Sequence, residues 1–261
     1  MSEDIILYDL PSRGTPKCWS LNPWKARLAL NYKNLPYKTE WLEYPSVAPA
    51  LKSYGIPPNS PSLNPNASYS IPAIRLPPSP TSSSSSDQPT YTMDSLAIAH
   101  ALESQYPTTP SLLFSGNDYA ARAQSAINTL MPALQPIALP RVPELLLNEV
   151  SAEYFNSTRE KRFGMPLSSL AQSESASPEY LWGEGGSTQP GLKAIKELLE
   201  ENEGRYVQGE EVSFADFILV GCWRFLEILD QGGDLFGKVM EYDERIRRHY
   251  EVCRVWLERD D

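Results

Sequence analysis

Ser20 is the residue most able to do chemistry. It stands two residues before Asn22-Pro23-Trp24, where a helix is predicted to open. Asn22 reads as its N-cap and Pro23 as its first helical position. A hydroxyl just ahead of a helix can stabilise a nearby anion twice, by a charge-assisted hydrogen bond and through the positive helix end. Asn22 has two readings, helix cap or second hydrogen-bond donor to the same anion. A second anion site is expected at Asp94-Ser95, which opens another helix. There the Ser95 N–H and hydroxyl can bind a carboxylate, and Asp94 can cap the helix or meet an ammonium group. Ile71-Pro72 precedes a strand-like run, where proline demands an edge, a strand start or a special turn.

Other chemistries find little support. Cys18, Cys222 and Cys253 are few, odd in number and widely spaced, which predicts a reducing compartment without a disulfide framework. His100 and His249 lack metal-like spacing and read as ordinary helix residues. There is no Walker loop, GxGxxG or zinc spacing, so no metal is expected. The formal charge of −10 argues against a nucleic-acid partner or an anionic membrane surface. No run approaches the roughly 20 apolar residues of a membrane span, and the first residues predict no secretory leader. A cytoplasmic protein is expected, and the sequons at Asn66 and Asn156 read as chance matches.

The elements that must position these residues follow from pattern. Ile5–Leu10 reads as a buried strand, followed by the helix from Asn22 to about Asn34. Strands are expected at Tyr37–Tyr44, Ser70–Leu76 and Thr90–Met93. Short helices are expected at Val47–Tyr54 and from Asp94-Ser95 to Glu103. The Ser/Pro-rich segment 77–89 and the stretch PPNSPSLNPNAS read as loops. Beyond Pro110 only helices are convincing. One is capped by Asn117 or Asp118 and runs to about Leu130, where Pro132 and Pro136 should end or kink it. Others are expected at Glu144–Arg162 and Gly191–Glu203. The last, Phe217–Leu229, is apolar nearly all round and should occupy the bundle centre. Its start carries a capping-box-like pair, Ser213 and Asp216, flanked by Val212 and Phe217. The domains are therefore read as 1–107, α/β, and 117–261, all-helical.

This order resembles the glutathione transferase superfamily. CWSLNPWKARLALNYK, TEWLEYP and YFNSTREKRFG look closest to its fungal-specific A class and the related β-aryl etherases. Those proteins carry a serine four residues before a tryptophan, here Ser20 and Trp24. Proline usually follows the serine; here Leu21 does, and proline stands at 23. The resemblance implies a thioredoxin-like N-terminal domain joined to a helical bundle. It implies glutathione as co-substrate, with Ser20 and Asn22 as the catalytic candidates. Trp24, Ile71, cis-Pro72, Asp94 and Ser95 would then bind glutathione. An apolar, aromatic electrophile would bind between the domains, lined by helices from 118 to 163, with Arg159, Lys161 and Arg162 facing the cleft or solvent. Detoxification or fungal secondary metabolism would be the setting, and a homodimer the assembly. Two alternatives stand beside this. One is a ligandin that binds hydrophobic metabolites without turnover. The other is a thiol transferase working through Cys18.

Overall fold

The computed structural model describes residues 4–60, 67–78, 88–112 and 118–260. Asn66, Asn117 and residues 79–87 of the Ser/Pro-rich segment lie outside them. A four-stranded mixed sheet forms from β1 (Ile5–Asp9), β2 (Tyr37–Trp41), β3 (Ala73–Leu76) and β4 (Thr90–Met93), in the order β2-β1-β3-β4. β2 runs parallel to β1, and β3 antiparallel to both β1 and β4. Helices α1 (Leu21–Tyr32), α2 (Tyr44–Ser53) and α3 (Ser95–Gln105) complete a thioredoxin-like unit.

After it, among the described residues, come two isolated β-bridges and helices: α4 (Tyr119–Arg141), α5 (Glu149–Phe163), α6 (Leu167–Ala171), α7 (Pro178–Trp182), α8 (Gln189–Glu200), α9 (Phe214–Leu229), α10 (Phe236–Tyr242) and α11 (Glu244–Cys253). The glutathione transferase fold is thus the architecture of the chain.

The register puts the chemistry at one end of the sheet. Asp9 at the end of β1 lies opposite Trp41 at the end of β2. Tyr8 lies opposite Ala73 at the start of β3, and Ala73 opposite Met93 at the end of β4. The segments leading into α1, α2 and α3 all leave from this end, so three helix N-termini gather there. Their amide ends make it a favourable place for anions.

α9 behaves as its composition demands, with Phe217, Leu219, Val220, Cys222, Trp223 and Leu226 fully buried. The Ser213/Asp216 capping box forms as expected. Asp216 also accepts from Val207 N at 2.7 Å and meets His249 Nε2 at 2.9 Å. His249 is therefore a buried clamp between α11 and the head of α9, not the ordinary helix residue that its polar surroundings in sequence suggest.

α4 departs further from expectation. It runs through Pro132, Pro136 and Pro140 to Arg141, then widens into a π turn at Val142–Leu146. Each proline removes an N–H that would bond four residues back. At spacing four these losses fall along one side of the helix. Packing against α8 and α9 holds the rest. The helix expected at 144–162 accordingly starts only at Glu149.

Candidate active site

Helix α1 begins two residues earlier than its sequence suggests. Ser20 is the N-cap, and Asn22 and Pro23 are the second and third helical residues. Asn22 is exposed, so its reading as the cap is corrected. The consequence falls on Ser20. An N-cap hydroxyl normally accepts from the second or third N–H of its helix. The third residue here is Pro23, which has no N–H. Ser20 accordingly makes no side-chain cap bond, while its carbonyl accepts from Trp24 N at 3.2 Å. Its half-buried hydroxyl is left for a ligand at the positive end of a 12-residue helix.

Ile71 and Pro72 are joined by a cis peptide bond, as the resemblance implies. Both are buried and lie just before the paired part of β3. The Pro72 carbonyl accepts from Asp94 N at 3.3 Å, which links this turn to the head of α3. Asp94 caps α3, its Oδ1 accepting from Leu96 N at 2.9 Å and Ala97 N at 3.0 Å. It does so at φ 83° and ψ 132°, a conformation that costs a non-glycine residue about 1–3 kcal/mol. Ser95 follows as the first helical residue, 9% exposed.

Trp24 has no exposed surface. Its ring lies in the seam between α1 and α9, 5.7 Å from the Arg224 guanidinium. Its place among the glutathione-contacting residues is corrected to a packing role, because it offers nothing to a solvent-borne ligand.

Cys18 is also fully buried, beside the ion pair of Asp9 and Arg27 (2.9 Å, both side chains fully buried). Burial, and then the Asp9 carboxylate, push its thiol well above the ordinary range. A nucleophilic thiolate needs the opposite environment. The Cys18-dependent mechanism is set aside on that ground.

Aromatic rings cluster where α2 meets α5. Tyr44 stacks on Tyr154 at 6.0 Å and meets Phe155 at 5.6 Å and Trp19 at 6.5 Å. Arg159 lies 3.9 Å over Phe155 and 5.4 Å over Tyr44. Of the basic run at 159–162, Arg159 thus reaches the α/β unit, while Lys161 and Arg162 are exposed. Burial pushes the Tyr44 phenol up to about 12, so it stays neutral. This cluster was hidden in sequence because its rings come from three distant segments. Two cavities of about 540 and 430 Å³ lie elsewhere, along the end of α4, and contain none of the seven candidate residues.

The chain matches the family model for the glutathione S-transferase N-terminal domain over residues 19–105. It matches the model for the C-terminal domain over residues 120–256. It is 35% identical to the glutathione S-transferase-like protein ustS of Aspergillus flavus, over 94% of this chain and 87% of that one. The chain belongs to the glutathione S-transferase family.

Solved structures agree with this transferase along its whole length. A glutathione S-transferase of Ceriporiopsis subvermispora, in complex with glutathione, superposes with a TM-score of 0.82 at 30% identity. The match covers 97% of this chain and 98% of that one. Glutathione transferase GSTFuA3 of Phanerochaete chrysosporium gives 0.80 at 28% identity, covering 98% of each.

Proposed function

We propose that this transferase binds glutathione at the sheet end shared by α1 and α3 and activates it as a thiolate at Ser20. The observation that carries the proposal is the Ser20 hydroxyl, which makes no cap bond to its own helix. Lowering a thiol pKa by about two units requires about 3 kcal/mol. A charge-assisted hydrogen bond supplies about 1.5–3 kcal/mol, and a helix terminus about 0.3–1 kcal/mol more. The backbone at Ile71-Pro72 would hold the cysteinyl part, and Asp94 with Ser95 the γ-glutamyl part. Asn22 would reach the sulfur only from its exposed second-residue position, and is the weaker partner. The Ceriporiopsis relative, solved with glutathione, supports the choice of co-substrate.

The acceptor would be an apolar, aromatic electrophile stacking against the exposed Tyr154 beside Tyr44. Conjugation, ether cleavage and isomerisation all begin with thiolate attack on such a molecule, and detoxification or secondary-metabolite tailoring would draw on any of them. A cytoplasmic homodimer is the setting that the resemblance implies. Light scattering after size exclusion reads the assembly.

Ser20→Ala should lower kcat/KM for conjugation of a generic aryl halide by about 10- to 100-fold, the rate equivalent of one charge-assisted hydrogen bond. Unchanged activity would overturn the mechanism. Retention of the wild type on a glutathione column without turnover of any electrophile would mark a ligandin instead.

A further inference from the structure

Arg159 is a cation held in place without an anion. Its guanidinium lies 3.9 Å over the ring of Phe155, one turn back on α5, and 5.4 Å over Tyr44 of α2. Phe155 is buried, so the guanidinium rests on a fixed apolar floor. Its Nη1 donates to Thr158 Oγ1 at 2.9 Å. Among the described residues no carboxylate pairs with it. Arg141 and Arg224, half-buried likewise, are paired with Asp234 and Glu227. The nearby acids are committed elsewhere. Glu43 accepts from Asn148 Nδ2 at 2.6 Å and from Ser151, and Asp9 pairs with Arg27. The Tyr44 phenol stays neutral and cannot serve as the anion. A guanidinium carries five donors in a planar fork that matches a carboxylate. The cation also stands beside the expected reaction centre. Tyr44 stacks on the exposed Tyr154 and lies 6.5 Å from the ring of Trp19, the neighbour of Ser20. The net charge of −10 repels anions from the chain at large, so any anion recognised here is recognised locally.

We propose that Arg159 is a specificity residue for the acceptor, and that this transferase favours aromatic electrophiles carrying a carboxylate, which Arg159 binds while the ring stacks beside Tyr44. This rests on the reading of Ser20 as the thiolate site and of the Tyr44 cluster as the acceptor side.

The test compares 4-chloro-3,5-dinitrobenzoate with its methyl ester as acceptors for glutathione. Each kcat/KM is divided by the uncatalysed rate constant under the same conditions, which removes the difference in ring reactivity. At low salt, wild type should favour the acid by about tenfold or more, the scale of one hydrogen bond to a charged group. The preference should shrink at about 1 M salt, where screening acts within about 3 Å. Arg159→Gln should bring the ratio to about one by slowing the acid. A wild-type ratio near one would overturn the proposal. So would a ratio indifferent to salt, which marks steric exclusion of the ester, or a variant that slows both substrates equally. A raised KM for glutathione with the ratio unchanged would give Arg159 to the glutathione side and overturn it too. The wild-type ratio and its salt dependence need no variant, so a misfolded Arg159→Gln leaves the test intact. If wild type turns over neither substrate, the transferase reading itself falls and takes this proposal with it. Equal normalised rates for acid and ester remove this proposal alone.

Discussion

At the scale of single residues, the start of α1 decides how the site works. A serine at an N-cap ordinarily spends its oxygen on its own helix, and that bond is worth about 1 kcal/mol. Pro23 at the third helical position removes a donor for it. Pro23→Ala restores the N–H, so the hydroxyl should turn inward. The expected result is a kcat/KM about fivefold lower, the rate equivalent of one capping bond, with little change in stability. In a Ser20→Ala background the same change should do nothing, which separates this mechanism from simple distortion of the loop. The candidate serine was legible in sequence because a hydroxyl and a helix start adjoin within four residues. The frame of the helix was not. Asn22 is as good a cap as Ser20 by residue type. Only the fold shows that the chain turns helical at Leu21.

Among the elements, α1 is held by close approach to α9. A Cβ on Gly221 would come within 2.9 Å of the Leu21 carbonyl and 3.4 Å of both Trp24 Cβ and Lys25 Cγ. Gly221→Val should therefore push α1 away at the turn that carries Ser20. The expected cost is about 1–3 kcal/mol, with a fall in kcat/KM beyond what loss of folded protein explains. Gly191 makes a comparable approach between α8 and α4, with a Cβ meeting the Leu130 backbone at 2.7 Å. Gly191→Val should lower the melting temperature in the same way. Activity per folded molecule should stay near wild type, because that contact lies away from the sheet end. Titration of folded protein by circular dichroism alongside the rates distinguishes the two. Neither glycine announced itself in sequence. Within an apolar helix a glycine reads as a weak helix former, and its purpose appears only when the neighbouring helix is in place. The length of α4 was likewise illegible. Proline propensity argues for a break at Pro132, whereas burial of Leu134, Pro136 and Ala138 against the bundle overrides it.

On the scale of the whole molecule, the two halves share one core, and buried polar bonds stitch it together. Asn31 of α1 donates to the Trp256 carbonyl at 2.7 Å, and Phe214 N at the head of α9 donates to the Leu112 carbonyl at 2.9 Å. Beneath the site the Asp9–Arg27 pair ties β1 to α1, with Asp9 also accepting from Leu10 N at 2.6 Å. Both side chains are fully buried, so deleting one leaves the other buried without its opposite charge. Arg27→Met should destabilise the fold by about 3–5 kcal/mol, measured by urea denaturation. The double change Asp9→Leu with Arg27→Met should recover much of that loss, since the pair's cost of burial is removed with it.

Much of the architecture was in the residue order. A short apolar run marks β1, alternation marks β2, a longer apolar run marks α9, and Ser213 with Asp216 marks its start. All of these are local patterns set by the periods of strand and helix. The type and order of the candidate residues Ser20, Ile71-Pro72 and Asp94-Ser95 were legible for the same reason, since each adjoins a helix or strand start. Tertiary structure alone decided what those residues can reach. Register brought the ends of four strands to one side. Packing withdrew Trp24 and Cys18 from solvent, and it gathered Tyr44, Tyr154 and Arg159 from distant segments. It also buried Lys25, which reads in sequence as one more helix-forming lysine, with no ion pair among the described residues. Burial and long-range contact are properties of the folded whole, and no short stretch of sequence encodes them.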